Sequence, residues 1–339
     1  MAETTHTHNL STEFDRIIIA SDEENAPFTV AIIPDVQFFV SEPYTDGKID
    51  GLVDMVDWII DNKETENIKM VAQIGDLTHH NGTGFVSVYP DDPEYDRVKP
   101  LMDKIDDADM PLLIIAGNHE YDSVWHPNDL EAFNYYFPDT RFTDKSWYGG
   151  QYEEGKSENV WYKIMVRGVE YIFIGVEFLP RLEVLAWCNQ IAEDNPDSRI
   201  IYFSHDYLYG DSITGIGYLD SGTNPYPYYS WTTDITSPPR SSGGTQFKEF
   251  VFKQPNIIAV YGGHRQFESV VLQSVGQYGN IVTQFGHDYS VESVKDEIVL
   301  LSIDPKWDRA TQRVYSPSLD QEINGYAQDF SFRSKPIFE

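Results

Sequence analysis

The sequence predicts an α/β fold, and three observations support this prediction. From residue 28 onward, short apolar runs alternate with amphipathic stretches, which is the pattern of parallel strands joined by crossover helices. Five of these runs end abruptly in glycine and polar residues, as strands do at the edge where open α/β sheets place their chemistry. Two other runs flank the tight turn Arg167-Gly168, which predicts a β-hairpin and therefore a sheet that is not purely parallel.

The predicted elements follow one another along the chain. The first strand covers residues 28–34, and the first helix covers residues 51–62, where apolar side chains recur at helical spacing. The other predicted strands cover residues 68–74, 111–116, 160–166, 169–176, 199–204, 256–261, 268–273, 280–285, 297–303 and 311–316. The other predicted helices cover residues 94–106, 128–137 and 181–193. We expect the last five strands to run mostly in antiparallel succession.

This pattern divides the chain into three parts. Residues 1–26 are polar and acidic and form an N-terminal extension, residues 27–316 form the main domain, and residues 317–339 form a C-terminal tail. Within the main domain, residues 211–244 form a long loop rich in proline, glycine and aromatic residues. Long loops of this kind usually serve as lids or contact surfaces, and a mobile linker is the alternative.

The charge balance is strongly acidic, with 24 basic and 55 acidic residues and a formal net charge of −31. Such a surplus repels the phosphates of DNA and RNA at long range, so a nucleic-acid substrate is disfavoured. An acidic surface also suits a saline or marine source, where salt screens the charge, and simple solubility is the alternative reading.

Neither a membrane span nor an export signal is predicted. No stretch approaches the ~20 apolar residues of a spanning helix. Residues 1–22 lack the basic region and apolar run of a signal peptide. We expect a soluble protein of the cytoplasm or of a larger particle. The single cysteine, Cys188, excludes an intramolecular disulfide and is expected inside a helix.

Five predicted strands carry polar side chains at their ends. Because the carboxyl ends of parallel strands lie on one edge of a sheet, we expect these side chains to converge. A mixed set of oxygen and imidazole ligands suits divalent Mn, Fe, Zn or Co. Two such ions about 3.5–4 Å apart can hold a bridging hydroxide and clamp a phosphoryl oxygen. The five strand ends are Asp35-Val-Gln37, Gly75-Asp76, Gly117-Asn118-His119, Ser204-His205-Asp206 and Gly262-Gly-His264-Arg-Gln266.

In this order and placement, the motifs resemble those of the calcineurin-like metallophosphoesterase superfamily. The motifs are Asp-x-Gln, Gly-Asp, Gly-Asn-His-Glu, a lone histidine after a strand, and Gly-His. The resemblance is greatest to a bacterial branch that has Asp-x-Gln where most members have Asp-x-His, and it covers residues 28–316. It implies a four-layer αββα sandwich with two mixed β-sheets and a metal site at the C-terminal ends of the strands.

The resemblance also implies an activity and individual roles. The protein would be a metal-dependent phosphoesterase that hydrolyses a phosphomonoester or phosphodiester by attack of a metal-bound hydroxide. His119 would act near the leaving-group oxygen, as a general acid or as a stabiliser of charge. The implied metal ligands are Asp35 and Gln37 for the first ion, Asp76 as the bridge, and Asn118, His205 and His264 for the second ion.

One motif departs from the family pattern. The family usually ends this series with Gly-His-x-His, whose second histidine binds the first ion, whereas this chain has Gln266 in that position. With glutamine at both 37 and 266, the first site exchanges two imidazoles for weaker amide oxygens. We therefore expect it to bind a harder ion such as Mg or Mn loosely, or to be partly empty. The alternative function is a non-catalytic component of a larger assembly that contacts a protein partner through residues 211–244.

Four side chains beside these motifs are candidate substrate-binding residues. The guanidinium of Arg265 can bind a phosphate through two parallel hydrogen bonds, although it could instead only offset acidic charge. His79, His80 and Asn81 closely follow Asp76 and are expected to face the pocket, with a loop position without a role as the alternative.

Overall fold

Two mixed β-sheets form the centre of the protein. The computed structural model describes residues 26–41, 48–79, 90–122, 130–211, 215–218, 240–264, 269–288 and 295–332. Within these ranges each of the two large sheets has seven strands, and a separate small sheet has two. Every strand predicted from the sequence has a counterpart in one of the two large sheets.

The first sheet combines parallel and antiparallel pairs. Its strands are β1 (Phe28–Ile33), β2 (Ile68–Gln73), β3 (Leu112–Ile114), β13 (Ile298–Asp304), β14 (Arg309–Ser316), β15 (Gln321–Glu322) and β16 (Gln328–Ser331). Their spatial order is β15-β14-β13-β1-β2-β3, and β16 also pairs with β14. β1, β2 and β3 are parallel, whereas β13 lies antiparallel beside β1. The parallel strands therefore direct their carboxyl ends to the same edge.

The second sheet has the same mixed character. Its strands are β4 (Tyr148–Gln151), β5 (Val160–Val166), β6 (Val169–Val176), β7 (Arg199–Ser204), β10 (Ile257–Gly262), β11 (Val270–Val275) and β12 (Ile281–Gly286). Their order is β11-β12-β10-β7-β6-β5-β4, and β6, β7, β10 and β12 are parallel. The predicted hairpin joins β5 to β6, and both turn residues, Arg167 and Gly168, have positive φ angles, 55° and 77°. The small sheet pairs β8 (Leu208–Asp211) with β9 (Gly215–Tyr218).

Helices cover the outer faces of both sheets. They are α1 (Gln37–Val40), α2 (Ile49–Asp61), α3 (Pro93–Asp107), α4 (Glu131–Tyr136), α5 (Leu182–Asp194) and α6 (Gly243–Glu249). Among the described residues, single 3₁₀ turns cover Asn118–Glu120, Asp139–Arg141 and Val251–Lys253. Within the ranges that the structure describes, no helix is long and apolar enough to cross a membrane.

The side-chain alternation of the strands builds the layers. In β1, Ala31 belongs to the apolar cluster shared with the helices α1 to α4, whereas Ile32 belongs to the cluster between the two sheets. In β6, Phe173 faces the first sheet and Ile174 packs with α5. Full burial of a side chain as large as that of Ile32, Phe173 or Ile174 contributes about 1.5–3 kcal/mol of transfer free energy. The order helix, sheet, sheet, helix confirms the predicted four-layer αββα sandwich.

The structure differs from the sequence-based expectation near the C-terminus. Residues 317–332, expected in a tail, add β15 and β16 to the edge of the first sheet, and Phe330 is buried there. These strands span only two and four residues, too short for an alternating pattern to stand out in the sequence. The expected antiparallel succession is also only partly correct. β10 and β12 are parallel, and β13 belongs to the other sheet.

Some predicted segments cannot be compared. Residues 1–25 lie outside the described ranges, as do residues 212–214 and 219–239 of the long loop. The buried Cys188 lies inside α5, as expected from its apolar neighbours.

Candidate metal centre

The carboxyl ends of strands from both sheets meet at one edge of the sandwich. Asp35 and Asp76 follow β1 and β2 of the first sheet, and His205 and His264 follow β7 and β10 of the second. His205 Nε2 lies 3.1 Å from Asp76 Oδ1. The backbone N–H of His264 donates a hydrogen bond of 2.9 Å to Asp35 Oδ2, although the two residues are 229 positions apart in the chain. The cluster is therefore assembled by the sheet topology and not by local sequence.

Asp76 lies at the centre of this cluster. Its Oδ1 accepts a hydrogen bond of 3.2 Å from the backbone N–H of His119 and faces His205, while its Oδ2 accepts one of 3.2 Å from Gln37 Nε2. Its φ angle is 52°, in the left-handed region. A non-glycine residue in this region costs about 1–3 kcal/mol and persists where its surroundings over-determine it. Both oxygens of Asp76 are thus held in fixed directions.

Glu120 orders the two turns that carry the site. Its carboxylate accepts hydrogen bonds from the backbone N–H groups of Gly117, Asp76 and Thr78 at 2.7, 2.8 and 3.0 Å. The side chain is fully buried, and burial, followed by the charge of Asp76, raises its pKa to about 7. The glutamate of the Gly-Asn-His-Glu motif therefore fixes the β2 and β3 ends relative to each other.

Glycines leave room for the clustered side chains. A Cβ atom added to Gly117 would lie 2.2 Å from Asp76 Oδ1 and 2.8 Å from His205 Nε2. A Cβ atom on Gly263 would lie 2.7 Å from Asp35 Oδ2. Real Cβ atoms do not approach other atoms so closely, so these positions require glycine for the close approach of backbone and carboxylate.

Carbonyl oxygens set the tautomers of two histidines. His205 Nδ1 lies 2.7 Å from the carbonyl oxygen of Ile74, and His119 Nδ1 lies 2.8 Å from that of His79. A carbonyl oxygen can only accept, so each Nδ1 carries the proton and donates it. The Nε2 atoms therefore face the cluster, and that of His119 lies 3.8 Å from Asp76 Oδ2.

Burial and mutual proximity shift the pKa values of the cluster. Burial, followed by the charge of Asp288, raises the pKa of Asp35 well above its usual value. Burial also acts to raise the pKa of Asp76, but the imidazole charges outweigh it, that of His205 first, and the pKa is lowered. Burial opposes protonation of His205, yet Asp76 and Asp35 raise its pKa to about 10. The buried carboxylates thus favour a positive charge among them, and a divalent cation would supply it.

The donor set fits a divalent cation. Asp76, His205 and His264 each offer one ligand atom, and these atoms all lie within 4.8 Å of one another. Gln37 is 5% exposed, and its buried Oε1 has no hydrogen-bond partner among the described residues. Oxygen and imidazole donors without thiolate are typical of sites for divalent metal ions in catalysis.

The structure brings most of the predicted site residues together. Asn118 is buried in the 3₁₀ turn that also carries His119. The ring of His79 stacks on that of His119 with 5.0 Å between centroids, and Phe38 packs on His79 at 4.7 Å. The predicted residues within or beside the cluster are Asp35, Gln37, Asp76, His79, Asn118, His119, His205 and His264. The other four, His80, Asn81, Arg265 and Gln266, lie outside the described residues.

Sequence reasoning missed two neighbours of the site. Asp288 is buried just beyond the end of β12, and the strand-end rule that identified the other carboxylates would have identified it as well. Phe178 follows β6, and its ring centroid lies 5.4 Å from that of His264 and 6.0 Å from that of His205. Its ring forms an apolar side of the cluster, and a search for polar motifs in the sequence does not identify such a residue. His287, which precedes Asp288 in the chain, forms a hydrogen bond of 3.1 Å between its Nε2 and Gln312 Oε1.

Comparisons with known proteins agree with this geometry. The sequence model of the calcineurin-like phosphoesterase family matches residues 28–266. The uncharacterized protein YvnB of Bacillus subtilis (strain 168) is 27% identical over 320 residues, which cover 90% of this chain and 21% of YvnB. The chain thus spans about a fifth of the length of this curated relative.

Among solved structures, the chain is similar to GAP50, the anchor in the inner membrane complex of Plasmodium. The TM-score is 0.52 at 8% sequence identity, over 91% of this chain and 90% of GAP50. At this identity the likeness concerns the fold alone.

Proposed function

Because the chain belongs to the calcineurin-like phosphoesterase family, we propose that it is a metal-dependent phosphoesterase that hydrolyses a phosphomonoester or a phosphodiester. One observation supports this more than any other. Asp76, His205 and His264, which come from both sheets, present ligand atoms within 4.8 Å of one another, close to the buried carboxylate of Asp35.

The proposed centre holds two divalent ions, drawn from Mn, Fe, Zn, Co and Mg. Divalent ions bound in such a centre supply the Lewis acidity that activates water and neutralises phosphoryl charge. Two side chains support this assignment. The buried amide oxygen of Gln37 accepts no hydrogen bond among the described residues. The Nε2 atom of His205 faces Asp76. Asp35 and Gln37 would hold the first ion, Asn118, His205 and His264 would hold the second, and Asp76 would serve both.

His119 is the proposed proton donor to the leaving group. Its Nδ1 proton is engaged by the carbonyl oxygen of His79 at 2.8 Å, and the ring of His79 stacks against its own. These contacts fix the plane of the ring, and Nε2 faces the centre from 3.8 Å. A proton held at Nε2 can then pass to the departing oxygen, a step that contributes about 10²–10⁴-fold in enzymes.

Removal and return of metal test the proposed function. We expect hydrolysis of 4-nitrophenyl phosphate or bis(4-nitrophenyl) phosphate to disappear after exhaustive treatment with a chelator. It should return on addition of at least one of Mg, Mn, Fe, Co and Zn, measured by release of 4-nitrophenolate and by elemental analysis. Full activity in metal-free protein would contradict the proposal. So would inactivity toward a broad phosphoester panel in protein that has bound its metals.

The His119→Gln variant tests the proton-donor role. For an alkyl phosphoester, whose leaving group needs a proton, we expect kcat to fall roughly 10²–10³-fold. For the 4-nitrophenyl ester, whose leaving group departs as an anion, the loss should be less than about tenfold, because little proton transfer is required. Both values come from steady-state kinetics, with metal content measured on the same samples.

Equal losses on both esters at unchanged metal content would contradict a proton transfer from His119. Loss of metal in this variant would place His119 among the ligands instead.

A non-catalytic role in a larger assembly remains the second candidate. It rests on Gln266 and on the loop at residues 211–244, which lie wholly or largely outside the described residues. The same phosphoester panel separates the two functions, because a binding module would hold metal without turnover.

A further inference from the structure

The end of strand β12 places a carboxylate beside the candidate metal centre. We propose that Asp288 is a ligand of the first metal ion and supplies the negative donor that replaces the family's second histidine. The inference rests on the proposed function, since it concerns the same two-ion centre. It goes beyond the family motifs, none of which includes this strand end.

The register of two parallel strands puts Asp288 and His264 at the same edge of the second sheet. Gly262 of β10 lies opposite Gly286 of β12. The backbone N–H of His287 donates to the carbonyl oxygen of Gly262 at 2.8 Å, so the pairing reaches one residue beyond the end of β12. His264 and Asp288 each follow a paired glycine by two residues, so both lie just beyond the same edge of the second sheet. The backbone of His264 in turn holds the carboxylate of Asp35 at 2.9 Å.

Burial and charge point to the same place. Asp288 is 4% exposed, and Asp35 and Asp76 are each 2% exposed. Asp288 lies close enough to Asp35 for its charge to act on that carboxylate. Three buried carboxylates that repel one another are costly unless a cation lies between them. The arrangement therefore suits a bound cation.

The side chain of Gln37 independently indicates a cation here. It is 95% buried, and its Nε2 donates to Asp76 Oδ2 at 3.2 Å. Its Oε1 accepts no hydrogen bond within the described residues, which would cost about 1–3 kcal/mol if nothing satisfied it. A cation between Gln37 Oε1 and the carboxylates would satisfy this oxygen.

The resulting donor set differs from the one expected from the sequence. Asp35, Asp76, Gln37 and Asp288 offer only oxygen ligands, three of them charged. Such sets prefer hard ions such as Mg²⁺ and Mn²⁺ over zinc. The third carboxylate offsets the two lost imidazoles, so the first site should bind Mn²⁺ stably and not loosely.

Titration of the metal-free protein with Mn²⁺ tests this inference. We compare wild type with Asp288→Asn, with Asp288→Glu, and with the control Asp92→Asn, using calorimetry for affinity and elemental analysis after dialysis for stoichiometry. Asp92 is equally buried, but it caps α3 through hydrogen bonds from Glu94 and Tyr95, a role that asparagine fills as well.

We expect wild type and Asp92→Asn to bind two ions. Asp288→Asn should retain one ion and bind the other at least about 100-fold more weakly, since loss of even an outer partner costs 10–100-fold. Asp288→Glu should recover part of this affinity. Metal-free Asp288→Asn should melt no lower than metal-free wild type, because a repelling charge has been removed, while its rise in Tm with Mn²⁺ should be smaller.

Two ions bound by Asp288→Asn within threefold of the wild-type affinities would overturn the inference and leave the proposed function intact. A lower Tm of the metal-free variant with both ions lost would also overturn it, since that pattern indicates a structural role. Absence of Mn²⁺ binding by wild type would overturn the inference, whereas the proposed function would be contradicted only if wild type also failed to bind Mg, Fe, Co and Zn.

Discussion

Replacement of Asp76 by asparagine should lower kcat/KM for phosphoester hydrolysis by roughly three orders of magnitude or more, equivalent to about 4 kcal/mol of transition-state stabilisation. The two oxygens of Asp76 face different groups, Oδ1 toward His205 and Oδ2 toward Gln37. Asparagine keeps one oxygen and replaces the other by an NH₂ group that cannot bind a cation. It also removes the negative charge between the two proposed ions.

Steady-state kinetics and elemental analysis of the Asp76→Asn variant give the measurement. The matched control is Asp92→Asn, another buried aspartate changed in the same way, which should keep both its metals and its turnover. Activity of Asp76→Asn within tenfold of wild type at full metal loading would exclude Asp76 as the bridging ligand.

The Gly117→Ala variant should lose almost as much activity, although it removes no functional group. The added methyl would lie 2.2 Å from Asp76 Oδ1, 2.5 Å from the Asp76 backbone nitrogen and 2.8 Å from His205 Nε2. Since two of these atoms are proposed metal-binding atoms and the third is backbone, no flexible side chain can give way. We expect kcat/KM to fall at least about 100-fold, and stability to fall by about 1–3 kcal/mol from overpacking.

A second glycine separates steric damage at the site from general strain. Gly168 in the β5–β6 turn has a φ angle of 77°, and nothing lies within 4 Å of a Cβ atom added there. Gly168→Ala should therefore cost about 1–2 kcal/mol of stability through its left-handed backbone while turnover stays unchanged. If Gly117→Ala keeps wild-type metal content and turnover, the turn can relax, and the close approach of the Gly117 backbone to Asp76 and His205 is not required.

The regular part of the fold follows from the apolar patterns of the sequence. Runs such as those at β1 and β7 are apolar on consecutive residues because both of their faces are buried, one under helices and one against the other sheet. Such runs identify strands reliably, and a polar end after each run identifies one edge of the sheet. For this reason the cluster around Asp76 could be assembled from strand ends alone.

The sequence could not reveal how the last strands are shared between the sheets. β12 ends at Gly286 in the second sheet, whereas the next strand, β13, belongs to the first sheet and pairs antiparallel with β1. Both strands are short apolar runs, and their composition does not show which of the two sheets each strand joins. The strand-end rule marks Asp288 as a polar residue after a strand, but only the position of β12 beside β10 shows that it lies at the same edge as His264.

Contacts that use the backbone are also invisible to motif reading. The carbonyl oxygens of Ile74 and His79 determine which nitrogen of His205 and His119 faces the centre. Any residue type at position 74 or 79 offers the same oxygen. The sequence can therefore identify the histidines but not their tautomers.

The centre lies across the boundary between the two sheets, because Asp35 and Asp76 belong to one sheet and His205 and His264 to the other. An ion held by both sets would crosslink the two sheets in addition to the hydrogen bonds from the His264 N–H to Asp35 and from His205 Nδ1 to the carbonyl oxygen of Ile74. Its binding free energy would then oppose separation of the two sheets. Metal affinity and the mechanical resistance of the sandwich to being pulled apart should therefore rise and fall together.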